Sequence, residues 1–175
     1  AALAAGRSGA RVMLVEETSE LGGTLLSRDP TSASIDGKPP AEWVADVRQA
    51  LADLPEVTIL TRTVAFGYYA NNFVGLWEKI SDHLPPGERD TKLPRQRVWR
   101  IRAKQVVLAT GALERPLVFH ENDRPGIMLA GAMRSFIHRY GVFPGQRVVV
   151  ATNNDTGWEA AFDMAESGMA IAAIV

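Results

Sequence analysis

The residues best suited to chemistry are an acid and two glycines near the start of the chain. Glu16 closes an apolar run, Arg11–Glu16 (RVMLVE), and Gly22 and Gly23 follow shortly after it. An acid at the carboxyl end of a parallel strand accepts hydrogen bonds from the ribose hydroxyls of a nucleotide, and nearby glycines allow close approach of the backbone. The position relative to the strand favours Glu16 over Glu17. The pattern predicts nucleotide binding; a solvated carboxylate at a strand end is the alternative.

A second candidate stretch is Val106–Pro116 (VVLATGALERP). Its four leading apolar residues predict a short buried strand, which ends on Ala109, Thr110 and Gly111, and Pro116 stops any continuation. A cofactor that lies over strand ends requires small residues there, because larger side chains would occupy its volume. The stretch therefore predicts a cofactor contact, with an ordinary glycine turn after a buried strand as the alternative.

The composition excludes several classes of function. The 175 residues carry a formal net charge of -1, with 46% hydrophobic and 22% charged residues. General binding to nucleic acid or to an anionic membrane therefore has no electrostatic support. The absence of cysteine excludes disulfides, thiolate nucleophiles and iron–sulfur clusters. No apolar run approaches a membrane span and no signal peptide is visible, so we expect a cytoplasmic protein.

Catalytic side chains are not evident. The three histidines, His83, His120 and His138, have no metal-binding spacing, and no nucleophile elbow is present. Among them, only His120 lies near the expected cofactor edge. The sequence therefore predicts no catalytic residue and no metal site, and favours a protein whose chemistry is carried by cofactors.

The elements that must position these residues follow from hydrophobic periodicity. Apolar residues at helical spacing or in short runs predict alternating helices and strands in the first two thirds of the chain. The predicted elements are a helix over 1–9, strands over 11–16, 57–60, 61–69 with a break near Gly67, 97–102 and 106–109, and helices over 40–54 and 130–140. Residues 83–97 are expected to form an exposed hairpin loop, and residues 27–40 a polar loop.

A second, similar unit begins near residue 146. A strand over 146–152, a turn over 153–157, a helix over 158–167 and a strand over 170–175 are predicted. The turn carries Asn153, Asn154 and Asp155 where a phosphate loop would need glycines, and the carboxylate would repel a pyrophosphate. Asp155 or Thr156 is expected to cap the helix. The unit is therefore predicted to keep the fold without an ordinary dinucleotide site.

The chain is expected to be a piece of a longer protein. It begins without Met inside a predicted helix and ends inside a predicted strand. No Gly-x-Gly-x-x-Gly turn precedes the strand that ends at Glu16. We predict a first dinucleotide-binding domain over 1–116 without its first strand and glycine-rich loop, a connecting segment over 117–145, and a degenerate Rossmann-like unit over 146–175.

Long segments resemble the α subunits of heterotetrameric sarcosine oxidases. The similar segments are VMLVEETSELGGTLLSR, TRTVAFGYYANNFVGLWEK, ERPLVF, NDRPGIMLAGA and RYGVFPGQR. The resemblance covers almost the whole chain. It implies an α/β, Rossmann-like fold of the two-dinucleotide-binding-domain flavoprotein type, truncated at both ends.

The resemblance also implies an activity, cofactors and partners. The family oxidises sarcosine to glycine with production of hydrogen peroxide, as a complex of α, β, γ and δ subunits. NAD would bind noncovalently at the first nucleotide site of the α subunit, whereas FAD and covalent FMN are associated mainly with the β subunit. Sarcosine and tetrahydrofolate would be handled outside this segment, and the segment alone is expected to be inactive.

The resemblance assigns contacts to matching residues only. Glu16 would hold the adenosine ribose, and Gly22, Gly23 and Thr24 would allow close approach. Thr63 and Val64 would lie by the adenine, and Ala109, Thr110 and Gly111 along the far side of the cofactor. Two alternatives stay open: an FAD-binding subunit of a related opine, proline or amine dehydrogenase, and a non-catalytic scaffold subunit.

Overall fold

The computed structural model describes residues 1–29 and 34–175. These residues form two compact units, the first made of Ala1–Leu21 and Val44–Thr110 and the second of Gly22–Trp43 and Gly111–Val175. Each unit combines helices with strands, so the chain has mixed α/β structure, as predicted. The loop predicted over 27–40 lies partly outside the described residues, and the domain divisions at residues 116 and 145 stay predictions.

The first unit contains a parallel pair of strands. Its elements up to this pair are α1 (Ala2–Arg7), β1 (Val12–Val15), most of α2 (Pro40–Ala52) and β2 (Val57–Leu60). Strand β1 pairs with β2 from Val12↔Val57 to Val15↔Leu60. Strand β1 is wholly apolar, and β2 is apolar except for the exposed Thr58, a composition typical of a largely buried parallel sheet. Leu51 of α2 and Leu60 are buried, so the apolar face of the helix lies in the core.

An antiparallel sheet completes the first unit. It consists of β3 (Thr63–Tyr69), β4 (Phe73–Lys79) and β5 (Gln96–Arg102), with β4 in the middle. The register of β3 against β4 shifts between Ala65 and Gly67, which agrees with the break predicted near Gly67. Sequence reasoning did not identify β4 as a strand. One face of the sheet buries Leu76, and the other is largely exposed.

The long loop between β4 and β5 is held by Asp82. Its carboxylate accepts hydrogen bonds from Arg95 Nε at 2.9 Å and from Gln96 Nε2 at 2.5 Å. These bonds, the one from Gln96 first, lower the pKa of the Asp82 carboxyl, because they favour its charged form. The backbone amides of Ile80 and Ser81 donate to the Arg95 carbonyl, so the same contacts close the loop.

We expect Asp82→Asn to speed hydrogen exchange at the Ile80 and Ser81 amides several-fold at pH 7. A group whose pKa is lowered by folding contributes stability above its unfolded pKa of about 4, and this contribution is lost as the pH falls through the folded pKa. The difference between the variant and the natural protein should therefore shrink as the pH falls below about 4, and disappear once the Asp82 carboxyl is protonated in the folded state. Asp90→Asn, in the same loop, is the control. Equal exchange rates at pH 7 would contradict the assignment.

The second unit contains another parallel pair packed on helices. Its elements are a 3₁₀ turn (Gly23–Ser27), α3 (Ala130–Arg134), a π-helical segment (Ser135–Arg139), β6 (Arg147–Val150), α4 (Asp155–Glu166) and β7 (Ala170–Ile174). Strands β6 and β7 are parallel, as the predicted second unit requires. The buried core consists of Met133, Ile137, Val150, Ala160, Ala161, Met164 and Met169.

The helix predicted over 130–140 is present, but its second half, Ser135–Arg139, is π-helical, and the predicted buried face is wrong in part. The Ser135 hydroxyl donates to the Gly131 carbonyl at 3.0 Å, which competes with the backbone ladder at the point where the winding widens. Met133 and Ile137 are buried as the α-helical stripe predicts. The wider π winding changes the angular step along the helix, and Phe136 and Tyr140 are exposed instead of sharing the buried face.

The buried strand predicted over 106–109 is also wrong. Val107 and Leu108 are 69% and 68% exposed, and residues 103–118 form no strand. A strand requires hydrogen bonds to a neighbouring strand, and no described strand pairs with this run. The apolar pattern is present, but the described residues contain no strand that pairs with it.

Candidate functional site

Glu16 is fixed at the carboxyl end of β1 by its backbone and by one carboxylate oxygen. Its amide donates to Leu60 O and its carbonyl accepts from Thr63 N, both at 2.9 Å. Oε1 accepts from the Thr18 amide at 2.9 Å and from the Thr18 hydroxyl at 3.0 Å. Among the described residues, none donates a hydrogen bond to Oε2. Thr18 therefore orients the half-buried carboxylate and leaves one oxygen for a ligand.

Thr63 and Val64 begin β3 beside Glu16. The Thr63 side chain is buried, and its hydroxyl donates to Thr61 O at 2.9 Å. Its amide is taken by Glu16, so neither its hydroxyl proton nor its amide proton is available to a ligand. Val64 is half-buried and pairs with Trp77 of β4. The structure thus brings Glu16 and Thr63 together and places Val64 next to them.

A small cleft lies at the carboxyl ends of β1 and β2. It has a volume of about 250 Å³ and is lined by Ser19, Glu20, Leu21, Arg48, Ile59 and Thr61. Ligands of open α/β sheets bind outside the carboxyl ends of the strands. Sequence reasoning missed Arg48, which comes from the exposed side of α2 and gives no signal in a helical pattern.

Gly22, Gly23 and Thr24 form the start of the 3₁₀ turn in the second unit. Gly22 has φ 134° and ψ −23°, and Gly23 has φ 53°, so both occupy conformations that favour glycine. A Cβ on Gly23 would meet no atom within 4 Å. Gly23 and Thr24 are exposed. The turn therefore presents open backbone, which fits close approach of a ligand.

The π-helical segment supports this turn. Ser27 Oγ lies 2.9 Å from Ser135 Oγ, and this hydroxyl pair joins the end of the turn to the segment. Next to this hydroxyl pair in sequence, Arg134 donates a hydrogen bond from Nε to Asp163 of α4 at 2.5 Å. Asp163 also lies 3.4 Å from His138 Nε2. This buried cluster of Arg134, His138 and Asp163 was not predicted, because its members are far apart in sequence.

Ala109 and Thr110 are exposed and make no hydrogen bond to Glu16 or Thr63. Gly111 has φ 68°, and a Cβ there would meet no atom within 4 Å. Glu114, just beyond, accepts hydrogen bonds from the amides of Ala130 and Gly131 at 3.0 and 2.8 Å. Glu114 thereby holds the N-terminus of α3, a role that the sequence did not reveal.

The turn before α4 is closed by its own side chains. The predicted cap, Asp155 or Thr156, is wrong, because Asn154 is the N-cap and its Oδ1 accepts from the Thr156 amide at 3.0 Å. The Thr152 hydroxyl lies where a side chain on Gly157 would sit and donates to Asn154 O at 2.9 Å. The amides of Asn154, Thr156 and Gly157 are therefore used within the turn rather than offered to a phosphate.

Other candidate centres are weak. Across residues 1–29 and 34–175, no group of three or more acidic or histidine side chains is arranged to hold a metal ion. His120 is exposed, and His83 makes no contact that suggests chemistry. None of the helices in these ranges has the length and apolar character that a membrane span needs.

Comparison with known proteins identifies close relatives. The chain is 49% identical over 175 residues to the sarcosine oxidase subunit alpha of Rhizobium meliloti (strain 1021), covering all of this chain and 17% of that protein. It is 48% identical over 174 residues to the same subunit of Corynebacterium sp. strains U-96 and P-1, covering 99% of this chain and 18% of each. The resemblance to sarcosine oxidase α subunits is confirmed. The chain spans less than a fifth of the length of these relatives.

The chain was also compared with protein-family models and with solved structures. No family model matches the chain. The L-proline dehydrogenase from P. horikoshii has the same fold over 99% of this chain and 32% of its own, with a TM-score of 0.74 and 23% identity. This likeness concerns the fold alone.

Proposed function

We propose that this chain is the nucleotide-binding part of the α subunit of a heterotetrameric sarcosine oxidase, and that it binds NAD+ noncovalently. The observation that carries the proposal is the carboxylate of Glu16, whose Oε1 is held by Thr18 while Oε2 makes no hydrogen bond within the described chain. The names of relatives nearly half identical over the whole chain support the same assignment.

The residues of the chain fit the adenosine end of such a cofactor. Glu16 Oε2 can accept from a ribose hydroxyl, and a carboxylate is the acceptor that this position requires for NAD rather than NADP. The backbone around Val64 would lie by the adenine. Gly22, Gly23, Thr24, Ala109, Thr110 and Gly111 are proposed to contact the cofactor as small residues or open backbone. When bound, NAD+ supplies hydride-accepting chemistry.

One nucleotide per chain is proposed. The fold would be of the two-dinucleotide-binding-domain type, with residues 1–116 as the first domain and residues 146–175 as the start of a degenerate second one. Asn154 and Thr152 occupy the turn before α4, which supports the absence of a second phosphate site. FAD and FMN would belong mainly to the β subunit.

The proposed complex oxidises sarcosine to glycine with production of hydrogen peroxide. The role of this chain is to bind the nucleotide and to assemble with the β, γ and δ subunits. Amine oxidation itself is assigned to none of its residues. Sarcosine and tetrahydrofolate would bind outside the segment.

Release and identification of the bound nucleotide tests the proposal. We expect mass spectrometry of the supernatant from the denatured full-length subunit to find NAD in about equal amount to the protein, as the resemblance to sarcosine oxidase α subunits implies. Glu16 fits the free ribose hydroxyl of NAD and disfavours NADP. The intact complex should also produce peroxide from sarcosine. FAD without NAD on this subunit, or activity with proline or an opine and none with sarcosine, would favour the dehydrogenase alternative.

A further inference from the structure

A groove on the antiparallel sheet of the first unit is separate from the proposed nucleotide contacts. It has a volume of about 500 Å³ and is lined by Phe66, Tyr69, Phe73, Gly75, Val98 and Arg100. We call this surface the aromatic groove. All three strands contribute to it, so its shape is set by the register of the sheet.

The groove arises from two glycines and a bulge. Gly67 pairs with Gly75 in the ladder, and because neither has a side chain, the Tyr69 ring can lie directly over Gly67. The register shift next to Gly67 inserts Phe66, whose ring lies over Gly75; a Cβ on Gly75 would be 2.6 Å from Phe66 Cζ. The ring pair Tyr69–Phe73, 5.8 Å between centroids, closes one end. The sequence therefore builds a concave apolar surface.

The apolar side chains of the groove are exposed together. Phe66, Tyr69 and Val98 are 55%, 53% and 63% exposed. Single exposed apolar residues are common, whereas a contiguous patch around a concavity marks an interaction site. Aromatic residues and arginine are also the types enriched at the buried centres of protein interfaces.

The charged side chains that the strands place on the face of the groove are all cations. Arg100 and Arg102 alternate with Ile101 on β5 and share the face of Val98, and Lys79 lies beyond Trp77 on β4. The Arg100 guanidinium is 6.0 Å from the Phe73 ring centroid, and Lys79 Nζ is 5.5 Å from that of Trp77. None of these three cations forms an ion pair with a residue in 1–29 or 34–175.

The opposite face of the sheet provides the contrast. There Arg97 lies 3.4 Å from Glu78, and Trp99 donates to the same carboxylate at 2.8 Å. Within the part of the chain that the structure describes, the cation on one face of the sheet has an acidic partner, whereas Lys79, Arg100 and Arg102 on the other face have none. Unpaired cations around an apolar concavity match a surface with apolar side chains and carboxylates.

We infer that the aromatic groove binds an acidic, apolar surface of a partner subunit. The inference rests on the proposed membership of a multi-subunit oxidase. An aliphatic or aromatic side chain of the partner would enter between Phe66 and Val98, and carboxylates beside it would pair with Arg100 and Arg102. Binding of a nucleic acid is disfavoured by the net charge of -1 and is one outcome of the test.

Photo-crosslinking in the intact complex tests the inference. The change is Tyr69→p-benzoylphenylalanine, and the matched control is the same replacement at Tyr68. Tyr68 is adjacent and equally exposed, at 54% against 53%, but it points to the other side of the strand. We expect irradiation to join position 69 to a peptide of another subunit that contains Asp or Glu, with a yield at least about tenfold above that at position 68.

A charge reversal provides the second measurement. Arg100→Glu combined with Arg102→Glu should lower the cross-link yield from position 69 about tenfold at low salt, because both groups would then repel the carboxylates. NAD content should be unchanged, since neither residue is among the proposed nucleotide contacts. Equal yields from positions 68 and 69, or cross-links only within the same chain or to nucleic acid, would overturn the inference.

The outcomes separate this inference from the proposed function. A complex that assembles and holds NAD, but gives no cross-link from position 69, overturns the groove alone. A cross-link to another subunit in a complex without NAD overturns the cofactor assignment and leaves the groove standing. A full-length chain that purifies without any partner overturns both.

Discussion

Replacing Asp163 with asparagine is expected to destabilise α4 and the helical segment packed on it by about 3–5 kcal/mol, the range for removing one partner of a buried ion pair. The Asp163 side chain is 6% exposed and binds Arg134 Nε at 2.5 Å. Among the described residues Arg134 would keep the half-exposed Glu159, at 3.4 Å, as its acidic partner, and its buried charge would be largely uncompensated. His138 would lose the carboxylate that faces its Nε2.

Hydrogen exchange is the suitable measurement, since a free energy of global unfolding is poorly defined in a long multidomain chain. We expect exchange at the Met164 amide of the full-length subunit to be at least about 100-fold faster in Asp163→Asn, as 1.4 kcal/mol corresponds to a factor of ten. Glu166→Gln, an exposed acid on the same helix, is the control.

A double variant distinguishes an unpaired charge from a packing defect. Arg134→Met with Asp163→Leu removes both charges, and well-packed apolar replacements of a buried ion pair are commonly neutral or stabilising. Exchange at Met164 should therefore return close to that of the natural chain. Exchange within about twofold of the natural rate in Asp163→Asn would show that the pair is energetically unimportant.

The cluster also bears on the proposed site through packing. Ser135 follows Arg134 directly, and its hydroxyl contacts Ser27 at the end of the turn that begins with Gly23. A change in the position of Arg134 should therefore weaken the contact between Ser135 and Ser27, and with it the hydrogen bonds of this turn. Faster exchange at the Leu25 amide, which donates to Gly22 O, would report it.

Local sequence patterns predicted what depends on neighbouring residues. Short, mainly apolar runs identified β1 and β2, because strands of a largely buried parallel sheet favour apolar side chains. The position of Glu16 followed from the end of β1. Its bond to Thr63 then follows from the parallel register, which brings the ends of β1 and β2 to one edge.

Features that depend on distant partners could not be predicted. Val106–Ala109 has the composition of a strand but no ladder partner among the described residues, so its apolar side chains are exposed. Glu114 holds the amide of Gly131, and Arg134 binds Asp163. In each case a charged side chain binds a group far away in the sequence, whereas its own neighbours in the sequence favour an ordinary solvated charge.

The π-helical segment marks a different limit. Hydrophobic spacing assumes 3.6 residues per turn, and the hydroxyl of Ser135 bonds to Gly131 O where the winding changes. The predicted stripe is therefore correct for Met133 and Ile137 and wrong for Phe136. Sequence periodicity identifies a helix here but does not specify its winding.

Replacing Glu16 with glutamine is expected to weaken NAD binding by about 10- to 100-fold. A hydrogen bond to a charged acceptor contributes about 1.5–3 kcal/mol, and each 1.4 kcal/mol is a factor of ten in Kd. Glutamine keeps an oxygen for the Thr18 amide and hydroxyl, so the local structure should survive. The amide nitrogen then replaces Oε2, and it cannot accept a proton from a ribose hydroxyl.

The matched control for this change is Glu17→Gln. Glu17 carries the same charge one residue further along and is exposed, so its loss alters the net charge equally without removing the oriented acceptor. Titration of NAD into the stripped full-length subunit at fixed ionic strength should give a Kd for Glu17→Gln within about twofold of the natural protein, since an exposed charge contributes little. If Glu17→Gln were the variant that lost affinity, the ribose contact would belong to Glu17. If neither variant changed the Kd, the carboxylate at the end of β1 would be a solvated acid and the proposed nucleotide site would be wrong.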